Sequence, residues 1–208
     1  MDKIVRPKTL LRLYISIFSF VGFLAVSSPV MSYEEPKYKL IKTTDVYEVR
    51  RYQRRTVAQV TYGKEDSGFR LLFNYISGAN ESSKEVQMTI PVTQSEEIDM
   101  TLPVTQSNSD GKMAMNFFLP NQYSKENAPL PRDTRVSIID LPEEYYAIIS
   151  YSGFASDNNF EKHHKELSDA LENDGLVVVG PPIKATYNSP FTPPFLRRNE
   201  AMFLLKWN

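Results

Sequence analysis

Arg55-Thr-Val-Ala-Gln-Val-Thr-Tyr62 and Glu144-Tyr-Tyr-Ala-Ile-Ile-Ser-Tyr151 are written in one pattern, 89 positions apart. Both alternate loosely and are rich in Val, Ile, Thr and Tyr, as half-buried strands are. At the same offset Val49 meets Ile138, Ala58 meets Ala147, Val60 meets Ile149 and Tyr62 meets Tyr151. A helical pattern follows each copy. After the first, Asp66 or Ser67 is placed to cap a helix whose apolar face reads Phe69, Leu72, Phe73 and Ile76, with Gly78 just past its end. After the second, Ser156 or Asp157 opens a helix ending near Asp174-Gly175, with Phe160, His164, Leu167 and Leu171 on one face.

Outward from these copies, strands are predicted at 38–42, 46–62, 86–92, 112–119, 134–140, 144–152, 177–179 and 200–207. Pro181-Pro182 is expected to end the seventh. The order is strand-strand-helix-strand-strand, twice. It predicts an α+β fold from a duplicated unit, its mostly antiparallel sheet curled toward a barrel with a helix packed on each half. Neither half is large enough to stand alone, so one domain over 33–208 is expected. A closer repeat, Met88-Thr-Ile-Pro-Val-Thr-Gln-Ser95 and Met100-Thr-Leu-Pro-Val-Thr-Gln-Ser107, reads as a local duplication extending a loop or hairpin, its prolines marking an edge strand or a strand end.

The first 32 residues read differently. Lys3, Arg6, Lys8 and Arg12 precede Leu13 to Val26, which carries no charge, and Ser27, Ser28, Pro29 and Ser32 follow. That is the order of a secretory leader, and the apolar run is short of the roughly 20 residues a spanning helix needs. A cut after Ser32 or Ser27 and export are expected; an uncleaved membrane anchor is the alternative. Loss of 1–32 removes four cations and one anion, which turns the net charge from −1 to −4. That balance excludes a general nucleic-acid binder.

The chain has no cysteine and two histidines. Disulfides, thiolate metal sites and cysteine nucleophiles are excluded, as are three-histidine metal centres. His163 and His164 point about 100° apart on a helix, so they do not share a ligand. His164 reads as a core histidine, or alternatively as an axial ligand for haem iron; His163 reads as a surface residue. Glu34-Glu35, Glu96-Glu97 and Glu143-Glu144 face opposite ways on strands and make poor acid/base dyads. A binding module therefore outranks an enzyme. Arg50, Arg51, Arg54 and Arg55 read as a solvated or edge-protecting strand face, or as an anion clamp. Five of the fourteen prolines lie between 181 and 194; with Tyr187, Phe191 and Phe195 they form a stiff apolar loop that covers the core or walls a ligand groove.

Together several pieces resemble the SOUL haem-binding protein family. They are Glu34-Glu35-Pro36-Lys37-Tyr38, Tyr47-Glu48-Val49-Arg50-Arg51-Tyr52, and Phe69-x-x-Leu72-x-x-Tyr75-Ile76-x-Gly78-x-Asn80. Next come Met88-Thr89-x-Pro91-Val92, Phe117-x-Leu119-Pro120, Pro129-x-Pro131, Tyr187-Asn188-x-Pro190 and Arg197-Arg198-Asn199-Glu200. The resemblance implies a twisted, barrel-like eight-stranded sheet with two helices. It also implies reversible, non-covalent binding of haem or a related tetrapyrrole in an apolar groove beside the first helix. On that reading Phe69, Leu72, Phe73 and Ile76 form the apolar plate. The family's basic positions fall here on Asp66, Asn74 and Pro193, so Arg70, Arg197 and Arg198 are the cations left to meet the propionates. A carrier or buffer follows; a binder of another apolar anion, or a protein-interaction domain, is the alternative.

Overall fold

Alternation of apolar and polar residues builds one sheet with both helices on the same face. A computed structural model describes residues 33–63, 67–82, 95–109 and 112–207. In chain order the elements are β1 (Tyr38–Thr43), β2 (Glu48–Tyr52), β3 (Arg55–Tyr62), α1 (Gly68–Ile76), β4 (Asn80–Glu81), β5 (Val104–Ser109) and β6 (Lys112–Phe118). There follow β7 (Leu130–Pro131), β8 (Val136–Leu141), β9 (Glu144–Tyr151), α2 (Asp157–Asn173), β10 (Val178–Thr186) and β11 (Asn199–Leu205). The main sheet runs β1-β2-β9-β11-β10-β5-β6-β3-β8, antiparallel throughout, and curls into a half-barrel; β4 and β7 pair separately.

The duplicated unit is visible in the register. Val49 pairs with Ala147, and Ala58 pairs with Ile138, so the offset of 89 recurs with the partners exchanged between copies. The first strand of each unit thus lies beside the second strand of the other. The result is two matching quartets, β2-β9-β11-β10 and β8-β3-β6-β5, joined where β10 pairs with β5. These are the eight strands of the duplication. β1 is a ninth, outside it, on the free edge of β2.

Two expectations change. Residues 46–62 form two strands broken at Gln53-Arg54, because β2 and β3 belong to different quartets. Pro181-Pro182 does not end the seventh strand: β10 continues to Thr186, and its register shifts between Val179 and Ile183. Gly180, at φ 76°, and the two prolines occupy that irregularity, where ladder N–H groups are not required. Residues 86–92, with most of the first Met-Thr-x-Pro-Val copy, lie outside the described residues. The second copy fits the strand-end and hairpin readings and not the edge one: from Val104 it forms β5, antiparallel to β6 and flanked on its other side by β10, and Pro103 falls just before the ladder.

α1 covers one quartet and α2 the other. Leu71, Leu72, Tyr75 and Ile76 of α1 pack with Ala58, Val60, Met115 and Phe117. Leu167 and Leu171 of α2 pack with Val49, Ala147, Ala201 and Phe203. Tyr52, Tyr146, Ile148, Tyr187 and Met202 form a third cluster on the opposite face.

Candidate functional site

α1 begins at Ser67, whose hydroxyl accepts from Arg70 N at 3.3 Å; Asp66 lies outside the described residues. It ends at Gly78, whose φ of 103° suits a residue without a side chain. The inward face is rotated from the expected one. Leu72 and Ile76 are buried in the core beside Leu71 and Tyr75, while Phe69 and Phe73 are 43% and 45% exposed. Their rings stack at 5.9 Å with 12° between planes, and Phe69 leans edge-on against Phe117. At 100° per residue, exposed Arg70 rises between Phe73 and Asn74. On the Asn74 flank lies a groove of about 440 Å³, bordered by Leu71, Ala79, Pro131, Arg132 and Val136. The first helix therefore presents an aromatic plate, a cation on its ridge and a groove bordered by Arg132, 3.9 Å from Glu81, and by Asp133, which Arg135 pairs. The Arg132 border was not legible beforehand, because only the β4–β7 pairing brings residue 132 to this helix.

Arg197 and Arg198 hold the proline-rich loop together. Arg197 Nε donates to Thr192 O at 2.7 Å and its Nη2 donates to Pro190 O. Arg198 stacks 3.6 Å over the Tyr187 ring and donates to Glu35 Oε2 at 2.5 Å. Glu200 turns elsewhere: buried, it accepts from Arg50 Nη1 at 3.0 Å and from the Tyr187 hydroxyl at 2.6 Å. Burial is the largest single influence and opposes Arg50's charge, but Glu200, Tyr52 and Glu48 together outweigh it and hold the guanidinium well above its ordinary pKa. Burial, then the charge of Glu200, pushes the Tyr187 phenol up, so it stays a donor. The four-arginine run is thus not one solvated face. Arg50 is buried, Arg55 lies 4.4 Å over the Tyr52 ring, Arg51 is half-buried and paired with Glu143, and Arg54 is exposed and paired with Asp140.

His164 is half-buried beside Phe160 and Phe203, with Nε2 2.6 Å from Glu161 Oε2. It belongs to α2, over the other quartet from α1. His163 is not a plain surface residue. It stacks on Tyr151 at 4.1 Å, and burial pushes the Tyr151 phenol up to about 12.

A family-wide sequence profile, that of the SOUL heme-binding protein, matches residues 33–204. The chain belongs to the SOUL family. Among SOUL relatives, Heme-binding protein 2 of Homo sapiens is 28% identical over 143 residues, covering 68% of this chain and 66% of that protein. Heme-binding protein 2 of Mus musculus is 26% identical over 144 residues, with the same coverage. The SOUL fold is also seen in a hydrolase from Listeria innocua (TM-score 0.55, 10% identity, 79% of this chain and 93% of that one). The EcmrR C-terminal domain shares it as well (TM-score 0.55, 11% identity, 82% and 99%). At such identities only the architecture is shared. The SOUL-like motifs have visible structural roles in this chain. Asn80 is buried and bonds Tyr75 O at 2.7 Å and both backbone groups of Glu96, which locks the end of α1. Tyr75 donates to Pro129 O at 2.9 Å, tying the helix to the proline-bearing loop.

Proposed function

We propose that this protein binds haem or a related tetrapyrrole reversibly and without a covalent link, at α1, as an exported carrier or buffer. One observation carries the reading: Phe69 and Phe73 are held parallel and half-exposed on a helix whose other apolar residues are committed to the core. A porphyrin is a flat apolar plate with two carboxylates on one edge. Each Å² of apolar face covered contributes about 25 cal/mol. Phe69 and Phe73 would supply that face, and Arg70 and Arg132 would meet the carboxylates. Arg197 and Arg198 first serve the loop, so their help would require giving up the contacts described above. The donor set of α1 fits the face and edge of a porphyrin, and when bound the iron would supply the redox and ligand chemistry. SOUL membership and relatives named for haem binding support this reading.

Haemin titration of the protein, followed by its Soret absorption, tests it. A saturable shift is expected, lost in Phe73→Asp and weakened in Arg70→Gln. No saturable shift, or a Phe73→Asp variant that titrates like the parent, sinks the proposal.

A further inference from the structure

We propose that the proline-rich loop between β10 and β11 inserts into a phospholipid bilayer surface. Phe191, Phe195 and Leu196 on this loop, with Phe154 after β9, are 62% to 95% exposed. They form one patch: Gly153 N donates to Pro194 O at 2.9 Å, and Arg197 lies 5.4 Å over the Phe154 ring. Together they show on the order of 500 Å² of apolar surface, more than scattered surface residues leave.

Two features select lipid as the occupant. First, much of the backbone of the loop is satisfied from within. Ser189 O accepts from Thr192 N, Pro193 O from Leu196 N, and Pro194 O from Gly153 N and Arg197 N. The carbonyls of Pro190 and Thr192 accept from the Arg197 side chain, and Phe191 N donates to Ser189 Oγ. Pro190, Pro193 and Pro194 carry no N–H at all. An apolar medium charges heavily for each unpaired backbone group, and this segment has few to desolvate. It is also preformed, so little ordering entropy opposes insertion. Second, the chain enters the fold beside the loop, since Arg198 holds Glu35. The sequence before Tyr33 includes the uncharged run Leu13–Val26, and on the expectation of export or anchoring the chain meets a membrane.

The absence of cysteine makes the test clean. A single environment-sensitive fluorophore is placed in the full chain at Phe195→Cys, or for comparison at Lys165→Cys on α2. Phosphatidylcholine vesicles containing phosphatidylglycerol are added. The expected result is a several-fold emission rise with a blue shift at 195, quenched by lipids carrying an acyl-chain nitroxide, and no change at 165. A vesicle-bound chain whose label at 195 still reports water overturns the proposal. So does a signal at 195 that follows protein concentration without lipid, which would mean a second copy. A response to haemin instead of vesicles would make the loop a ligand wall and equally overturn it.

Discussion

Arg50 and Glu200 stand 150 positions apart and share one buried ion pair, closed by the Tyr187 hydroxyl and approached by Ser150 Oγ at 3.4 Å. A pair sealed this way is held by geometry: the Glu200 charge is tolerable because Arg50 is there, and Arg50 in turn also holds Glu48 at 2.8 Å. Arg50→Met therefore leaves the Glu200 carboxylate buried with no cation, against the Tyr187 and Ser150 hydroxyls, and should lower unfolding free energy by roughly 3–5 kcal/mol. The double change Arg50→Met, Glu200→Leu should recover most of that. Urea denaturation of the parent, both single variants and the double variant measures the coupling; a single-variant loss below about 1 kcal/mol contradicts the buried-pair reading. Strand alternation sends Arg50 to the same face as Tyr52, away from the helices. A run of four arginines in sequence still looks solvated, because the partner that makes burial tolerable arrives only with β11.

The first helix shows why an element can be found and still be misoriented. Phe69, Leu72, Phe73 and Ile76 satisfy helical spacing, and so do Leu71, Leu72, Tyr75 and Ile76. Six apolar residues within nine positions give two overlapping stripes, and spacing alone does not choose between them. The choice is made by contacts far along the chain: Tyr75 reaches Pro129, and Asn80 locks the helix end onto Glu96. The half-exposed rings that the buried stripe leaves over are what make α1 a candidate site. Leu72→Ala should cost about 2–5 kcal/mol, as deletion of a fully buried leucine does. Phe73→Ala should stay within about 1 kcal/mol while weakening haemin binding strongly. Thermal and urea midpoints beside Soret titrations of the two variants separate a core role from a ligand role. Equal stability losses would return Phe73 to the core.

At the scale of the whole molecule, the 89-residue repeat was legible because both copies place the same apolar residues on the helix-covered face, at Ala58 and Val60 and at Ala147 and Ile149. The exchange of first strands between copies was not, since β2 beside β9 and β2 beside β3 bury the same side chains. Ion pairs join distant segments: Arg51 with Glu143 and Arg54 with Asp140 where the units exchange strands, Lys42 with Asp174 between β1 and the end of α2, and Lys184 with Asp157 between β10 and the start of α2. Bonds from Lys42 and then Tyr47 hold the Asp174 carboxyl below its ordinary pKa. Arg54 and then Thr56 do so for Asp140, Lys184 for Asp157 and Arg51 for Glu143. Arg135 pulls Asp133 down to about 2. A carboxyl whose folded pKa is depressed contributes stability above its unfolded value and loses it as pH falls through the folded one. The urea midpoint should therefore be level from neutral pH down to the ordinary carboxylate values, 4.5 for Glu and 3.8 for Asp, and then decline toward about 2. Lys42→Met removes the partner that lowers Asp174 most, so its decline should be shallower than the parent's. A midpoint that rises on acidification, or a Lys42→Met profile parallel to the parent's throughout, would mean that these bridges do not hold β1 and α2 together.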